Sequence, residues 1–170
     1  NRLELSNNKA TRCHKLPHAP AQIAACLLTL GLRRVPKYAK EVVIDLDNMG
    51  HLLHGLQEGR HYNDYYGDYC YLPLYIVVGD VVIWAQLRTS DKGGADGVVP
   101  ALEQVVAAIR RRCPRARIVV RGDSGFSVDA VMAWCETQPG VYYCLGLAKN
   151  SVLIEKLQPA LVRARERHCL

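Results

Sequence analysis

Val42-Val43-Ile44-Asp45-Leu46-Asp47 runs apolar, mostly β-branched residues directly into two carboxylates spaced two apart. Such a run predicts a strand buried on both faces. Side chains alternate along a strand, so Asp45 and Asp47 share one side of it. A carboxylate at the end of a buried strand is costly unless it is paired, protonated or bound to a cation. Two on one side repel each other, which favours a cation between them. The plainer alternative is that one aspartate caps the next turn and the other is solvated.

On the N-terminal side of this strand, Arg33, Arg34, Lys37 and Lys40 form a basic linker. Before it, Ile23, Cys26, Leu27 and Leu30 repeat at helical spacing, with Pro20 suited to the first turn and Gly31 to the end. Residues 1–19 are polar and mixed, with His14 and His18 spaced i, i+4. On the C-terminal side, Asn48-Met49-Gly50 predicts a turn. Residues 51–70 then form a long polar and aromatic connection carrying His51, His54, His61, Tyr62, Tyr65, Tyr66 and Tyr69. A zinc site from these histidines and Cys70 needs tighter Cys/His pairing, so they read as loop side chains near DNA or water.

Tyr71 to Val78 and Val81 to Leu87 read as a hairpin around Gly79-Asp80, followed by a loop over 88–97. Val99, Leu102, Val105, Val106 and Ile109 predict a helix over Val98–Arg112, whose last turn carries three arginines that suit its dipole. Arg117 to Arg121 reads as a buried strand, and Gly122 to Phe126 as a turn. Ser127 is placed to cap a helix with Val131, Trp134 and Cys135 facing inward. Val141 to Leu147 is a further strand. Ser151 opens a last helix, expected to be disturbed at Pro159. A lone strand plus a hairpin, followed by alternating helices and strands, predicts an α/β mixed sheet of three antiparallel and two parallel strands flanked by helices. Strand 42–47 is expected at its centre. That is the layout of ribonuclease H-like domains. The expected division is a helical lead-in over 1–40 and the core over 41–170.

The chain has 170 residues, 49% of them hydrophobic and 22% charged, which suits a soluble globular domain with a real core. A net charge of +6 fits a polyanion partner. Seven cysteines without a Cys-x-x-Cys pair point away from a disulfide framework and toward a reducing compartment. No signal peptide is visible. The uncharged run from Tyr69 to Gly79 is too short to span a bilayer, so no membrane partner is expected. A chain that starts at Asn1 and ends at Cys169-Leu170 is expected to be a piece of a longer protein.

Asp123 stands just past Ile118-Val119-Val120, as Asp47 stands at the end of the first strand. Ligands of open α/β sheets collect at the carboxyl ends of strands. If the two strands are neighbours, the two carboxylates converge. Hard cations such as Mg²⁺ take oxygen ligands, and a pair of them can activate a nucleophile and stabilise the leaving oxygen in phosphoryl transfer. The alternative for Asp123 is a turn aspartate between glycines. Arg60, Arg88, Arg121 and Lys149 lie at or beside predicted strand ends and are candidate DNA phosphate contacts, the alternative being a solvated basic surface.

Several blocks together carry a resemblance: Ile44-Asp45-Leu46-Asp47, Leu53-His54-Gly55-Leu56-Gln57-Glu58-Gly59-Arg60, Tyr69-Cys70-Tyr71-Leu72-Pro73-Leu74-Tyr75, Arg121-Gly122-Asp123-Ser124-Gly125-Phe126 and Met132-Ala133-Trp134-Cys135-Glu136. From about residue 40 to 155, and weakly over Asn1–Leu5, the chain resembles the catalytic core of bacterial insertion-sequence transposases of the DDE type, in the branch grouped as DDE domain group one. The resemblance implies a ribonuclease H-like fold, Mg²⁺ or Mn²⁺ as cofactor, and strand cleavage and transfer at element ends. It implies transposon-end and target DNA as partners, a homodimer of the full-length protein, and action in the bacterial cytoplasm. The family's first carboxylate falls on Asp47, where Met49 replaces the usual Thr, so Asp45 is a further candidate ligand. The second falls on Asp123. The third, a glutamate on a later helix, is expected beyond Leu170, because the surroundings of Glu155 and Glu166 do not match its motif.

Two other functions compete. A haloacid-dehalogenase-like phosphatase also opens with a buried strand ending in Asp-x-Asp, with Asp45 as nucleophile and Asp47 as general acid. An all-parallel sheet would favour it. A DNA-binding remnant without catalysis keeps the antiparallel start and the basic surface.

Overall fold

A computed structural model of the protein describes residues 19–168. His14, His18 and the Asn1–Leu5 stretch lie outside the described residues. In chain order the elements are α1 (Pro20–Leu32), β1 (Glu41–Asn48), β2 (His51–Leu52), β3 (His61–Asn63), β4 (Asp68–Tyr71), β5 (Leu74–Val78), β6 (Val81–Gln86), α2 (Val98–Arg112), β7 (Arg117–Gly122), α3 (Asp129–Thr137), β8 (Val141–Leu145) and α4 (Ser151–His168). β1 is the middle strand of a five-stranded sheet ordered β6-β5-β1-β7-β8. The β1–β5 and β5–β6 pairs are antiparallel, while β1–β7 and β7–β8 are parallel. This is the expected ribonuclease H-like layout, with strand 42–47 at its centre.

The two faces of β1 are not equally covered, contrary to the expectation of a strand buried on both. Val42, Ile44 and Leu46 are buried, whereas Val43 and Asp45 are half-buried and Asp47 is exposed. The covered face joins one core cluster with Ala24 and Leu32 of α1, Leu102 and Ile109 of α2, and Val131 of α3. Burying a side chain such as Ile44 contributes roughly 1.5–3 kcal/mol, so this face drives folding.

Gly31 does not end α1. It sits inside the helix, where an added Cβ would come 2.5 Å from the Ile83 side chain, so a residue without a Cβ lets α1 lie close against β6. The connection over 51–70 is not a plain loop but a second sheet, ordered β2-β4-β3, and Tyr71 belongs to it rather than to the hairpin. Pro73 separates the two sheets by removing a ladder donor. Ser127 does not cap α3: Val128 holds the N-cap position without a side-chain bond, and the helix starts at Asp129. β8 stops at Leu145, before the expected Leu147. α4 runs through Pro159 with no buried residue, and the Asn150 side chain accepts the Leu153 amide at 2.7 Å. The arginines closing α2 tie down neighbouring loops: Arg110 donates to Pro139 O at 2.7 Å and Arg112 to Val35 O at 2.6 Å. No described helix is long and apolar enough to cross a membrane.

Candidate active site

Parallel pairing of β1 with β7 sets Asp45 opposite Arg121, and that pair is the last of the ladder. Two residues further along each strand stand Asp47 and Asp123. Asp123 is still extended (φ −74°, ψ −171°), so it continues the line of β7. Neighbouring strands run about 4.8 Å apart, which brings the two carboxylates to the same end of the sheet on adjacent strands. This is the place where an open α/β sheet gathers ligands.

The three aspartates differ in what they hold. Asp45 accepts two bonds from the Arg121 guanidinium, at 2.6 Å and 2.8 Å. That bidentate pair raises the Arg121 pKa further, chiefly through the hydrogen bonds. Asp123 accepts the Gly125 amide at 2.8 Å with Oδ1, opening a short 3-10 turn over Ser124–Phe126. The turn role weighed for Asp123 is therefore realised with one oxygen, and its other oxygen has no partner among the described residues. The Asp47 carboxylate has no side-chain partner among the described residues. Across β5 its register partner is Tyr75, whose hydroxyl lies 3.2 Å from His51 Nε2.

The donor set consists of carboxylate oxygens, the chemistry that Mg²⁺ or Mn²⁺ takes. Asp47 and Asp123 offer oxygen donors of that chemistry. Asp45 is already neutralised by Arg121. Among the described residues no group of three or more His, Cys, Asp or Glu side chains gathers tightly enough to hold a metal.

The basic candidates separate. Lys149 is exposed. Arg60 stacks its guanidinium 4.4 Å from the Tyr69 ring centroid and donates to Gly55 O at 2.7 Å. Arg121 is committed to Asp45. Arg88 is only 8% exposed, so it has almost no surface to offer a phosphate, which corrects its placement among the DNA contacts. Its guanidinium donates to Leu72 O at 3.0 Å, Gly94 O at 3.1 Å, Asp96 O, and Asn48 Oδ1. Burial lowers its pKa from the ordinary value, and the nearby Asp96 carboxylate works against that shift. No pattern in the sequence signalled the Asn48–Arg88 contact, which joins residues 40 positions apart. Of the loop histidines, His51 meets Tyr75 and His61 lies 3.9 Å from Asp91, so they do not share a centre.

Residues 1–169 match the family described as Transposase DDE domain group 1. The chain belongs to that family. The antiparallel start of its sheet also weighs against the phosphatase, which an all-parallel sheet would favour. No curated protein matches the chain. Among solved structures, the piggyBac transposase in a synaptic complex with hairpin DNA is similar over 68% of this chain and 25% of that one, with 14% identity and a TM-score of 0.42. The Mos1 transposase in a paired-end complex with the left transposon end is similar over 96% of this chain and 54% of that one, with 16% identity and a TM-score of 0.37. This transposase-family chain thus spans a quarter of the first neighbour and about half of the second.

Proposed function

We propose that the protein is the catalytic core of an insertion-sequence transposase, with Asp47 and Asp123 holding a divalent cation for phosphoryl transfer on DNA. The observation that supports this is the contrast on β1: Asp45 is paired with Arg121, while Asp47 has no side-chain partner among the described residues and stands at the same sheet end as Asp123 of the next parallel strand. A bound Mg²⁺ or Mn²⁺ supplies charge neutralisation at the phosphoryl oxygens and a nucleophile made from water. Asp47 and Asp123 hold the ion, and the Gly125 amide fixes the orientation of the Asp123 carboxylate. The Arg121 side chain keeps Asp45 from competing for the ion. A third oxygen donor is required from outside the described pair. Lys149 is exposed and Arg60 is partly exposed on the Tyr69 ring, and both serve as phosphate contacts in this reading. The partners of the whole protein in this reading are transposon ends, target DNA and a second copy of itself.

The test is strand cleavage of duplex DNA bearing an element end by the full-length protein, with Mg²⁺ or Mn²⁺. Asp47→Ala and Asp123→Ala should each lower cleavage more than about 100-fold, beyond the range that outer-shell changes produce. Circular dichroism should show both variants folded. Undiminished cleavage by a folded Asp123→Ala variant would overturn the assignment. If the wild-type protein binds DNA but neither binds metal nor cleaves, it is a non-catalytic DNA-binding relative.

A further inference from the structure

We propose that Arg88 is a positioning residue that sets the relation between Asp47 and Asp123 through the loop over 93–96. This rests on the metal-site reading above and adds what holds that site in shape. A buried guanidinium is an expensive way to fill space, even with the Asp96 carboxylate near enough to favour its charge, and an apolar side chain would cost the fold less. Among the described residues no carboxylate ion-pairs with Arg88. Its planar fork points at oxygens from three separate segments. These are Leu72 O between the two sheets, Gly94 O and Asp96 O in the loop, and Asn48 Oδ1 at the end of β1.

The connection to the carboxylates is short on both sides. Asn48 directly follows Asp47, and its amide nitrogen donates to Gly94 O at 2.9 Å. On the other side of Gly94 lies the turn that carries Asp123. A Cβ added at Gly94 would come 2.9 Å from Asn48 Nδ2 and 3.6 Å from Gly125 O. Gly125 in turn donates its amide to Asp123 Oδ1. The loop is therefore wedged between the tail of β1 and the turn after β7, beyond the last paired residues of the β1–β7 ladder. Where backbone pairing no longer fixes the spacing of the two strands, the wedge does, and Arg88 holds the wedge.

Lysine keeps the charge but gathers its donors on one nitrogen, which cannot span oxygens that Arg88 meets with Nε, Nη1 and Nη2, so Arg88→Lys isolates the fork. Amide hydrogen exchange and Mn²⁺ titration followed by electron paramagnetic resonance, on wild-type and Arg88→Lys protein, separate the possibilities. The Gly125 amide should exchange at least about 10-fold faster in the variant, while amides of Ile44 and Val120 in the core strands stay protected. Mn²⁺ affinity should fall by about 10- to 100-fold, the range for loss of a partner that orients a ligand. Unchanged exchange at Gly125 in folded Arg88→Lys would refute the positioning role, whatever the metal does. If wild-type Mn²⁺ binding is absent or indifferent to Asp47→Ala and Asp123→Ala, the metal site fails, and the Gly125 exchange still decides whether Arg88 holds the wedge. Should Arg88→Lys fail to fold, Gly94→Ala pushes on the same wedge with one methyl group, at a position whose φ is not in the left-handed region. It should show the same pattern at smaller size, and Gly125 exchange equal to wild type would overturn the proposal.

Discussion

Val42, Ile44 and Leu46 leave β1 toward the helices, while Val43, Asp45 and Asp47 leave the same strand toward the opposite face of the sheet. On the first side every neighbour is apolar and buried. On the second side the neighbours are Arg121, Tyr75 and Cys144, at register positions where solvent reaches. One strand thus serves two purposes. Its covered face supplies the free energy of folding, and its open face uses the rigidity so obtained to present charge. The open face need not be stable by itself, because its residues are fixed by backbone ladders rather than by packing.

The largest effects should come from the covered face. Ile44→Ala should destabilise the protein by roughly 2–5 kcal/mol, whereas Val119→Ala on the half-buried open side of β7 should cost less than about 1 kcal/mol. Urea unfolding of the two variants checks this. Equal losses would mean that the open face carries hidden packing and that the two faces are not distinct in kind.

Next come the two aspartates of the open face. Asp47→Asn should lower Mn²⁺ affinity by at least about 10-fold, while Asp45→Asn should leave it within a few-fold of wild type. Neither should shift the urea midpoint much, since both side chains are at least partly solvated. A stronger effect from Asp45→Asn would show that the Arg121 pair yields to metal and that Asp45 is the principal ligand.

Thiols report the same contrast. Cys135 is fully buried against the core, and burial pushes its pKa up to about 11. Cys144 is exposed beside Arg121 on the open face. Iodoacetamide should alkylate Cys144 quickly and Cys135 only on unfolding. The raised pKa also fixes the sign of a pH effect. The protonated thiol favours the folded state, so this contribution is fully present below the ordinary thiol pKa and is lost as pH rises toward about 11. Tyr143, raised by its hydrogen bond to Glu136, works in the same direction. Urea midpoints at mildly and strongly alkaline pH should fall more steeply in wild type than in Cys135→Ala.

The β-branched run of β1 and the helical spacing of Val98–Arg112 made the element types legible, and the strand–hairpin–helix order led to the five-stranded sheet. That only one face of β1 is covered stayed hidden, because Val43 is as apolar as its buried neighbours. The placement of Asp47 and Asp123 at the ends of adjacent strands was legible because each stands three residues past a β-branched run. What stayed hidden came from contacts that no local period records. The small sheet of β2, β3 and β4 has short strands among turn residues, so its pairing is set by tertiary fit. Arg88 looked like a surface cation because an arginine after a strand usually is one, and only the loop folding over it makes it a core residue. Gly31 looked like a helix end because close packing on Ile83 and a C-terminal cap call for the same residue.

The smallest expected effect tests the sign of the electrostatics on the open face. Arg121→Gln removes the cation that neutralises Asp45 and leaves a free carboxylate two residues from Asp47. Side chains two apart on a strand are separated by about 7 Å. At that distance in water, one unit of charge changes the affinity for a cation by about threefold for each charge it carries. Mn²⁺ should therefore bind a few-fold more tightly to Arg121→Gln than to wild type at low ionic strength, and the gain should shrink as salt is raised. Isothermal titration at two salt concentrations reads both. Weaker Mn²⁺ binding instead would mean that the Arg121–Asp45 pair holds Asp47 in place. The open face would then depend on its own packing as the covered face does, and the division between the two would fail.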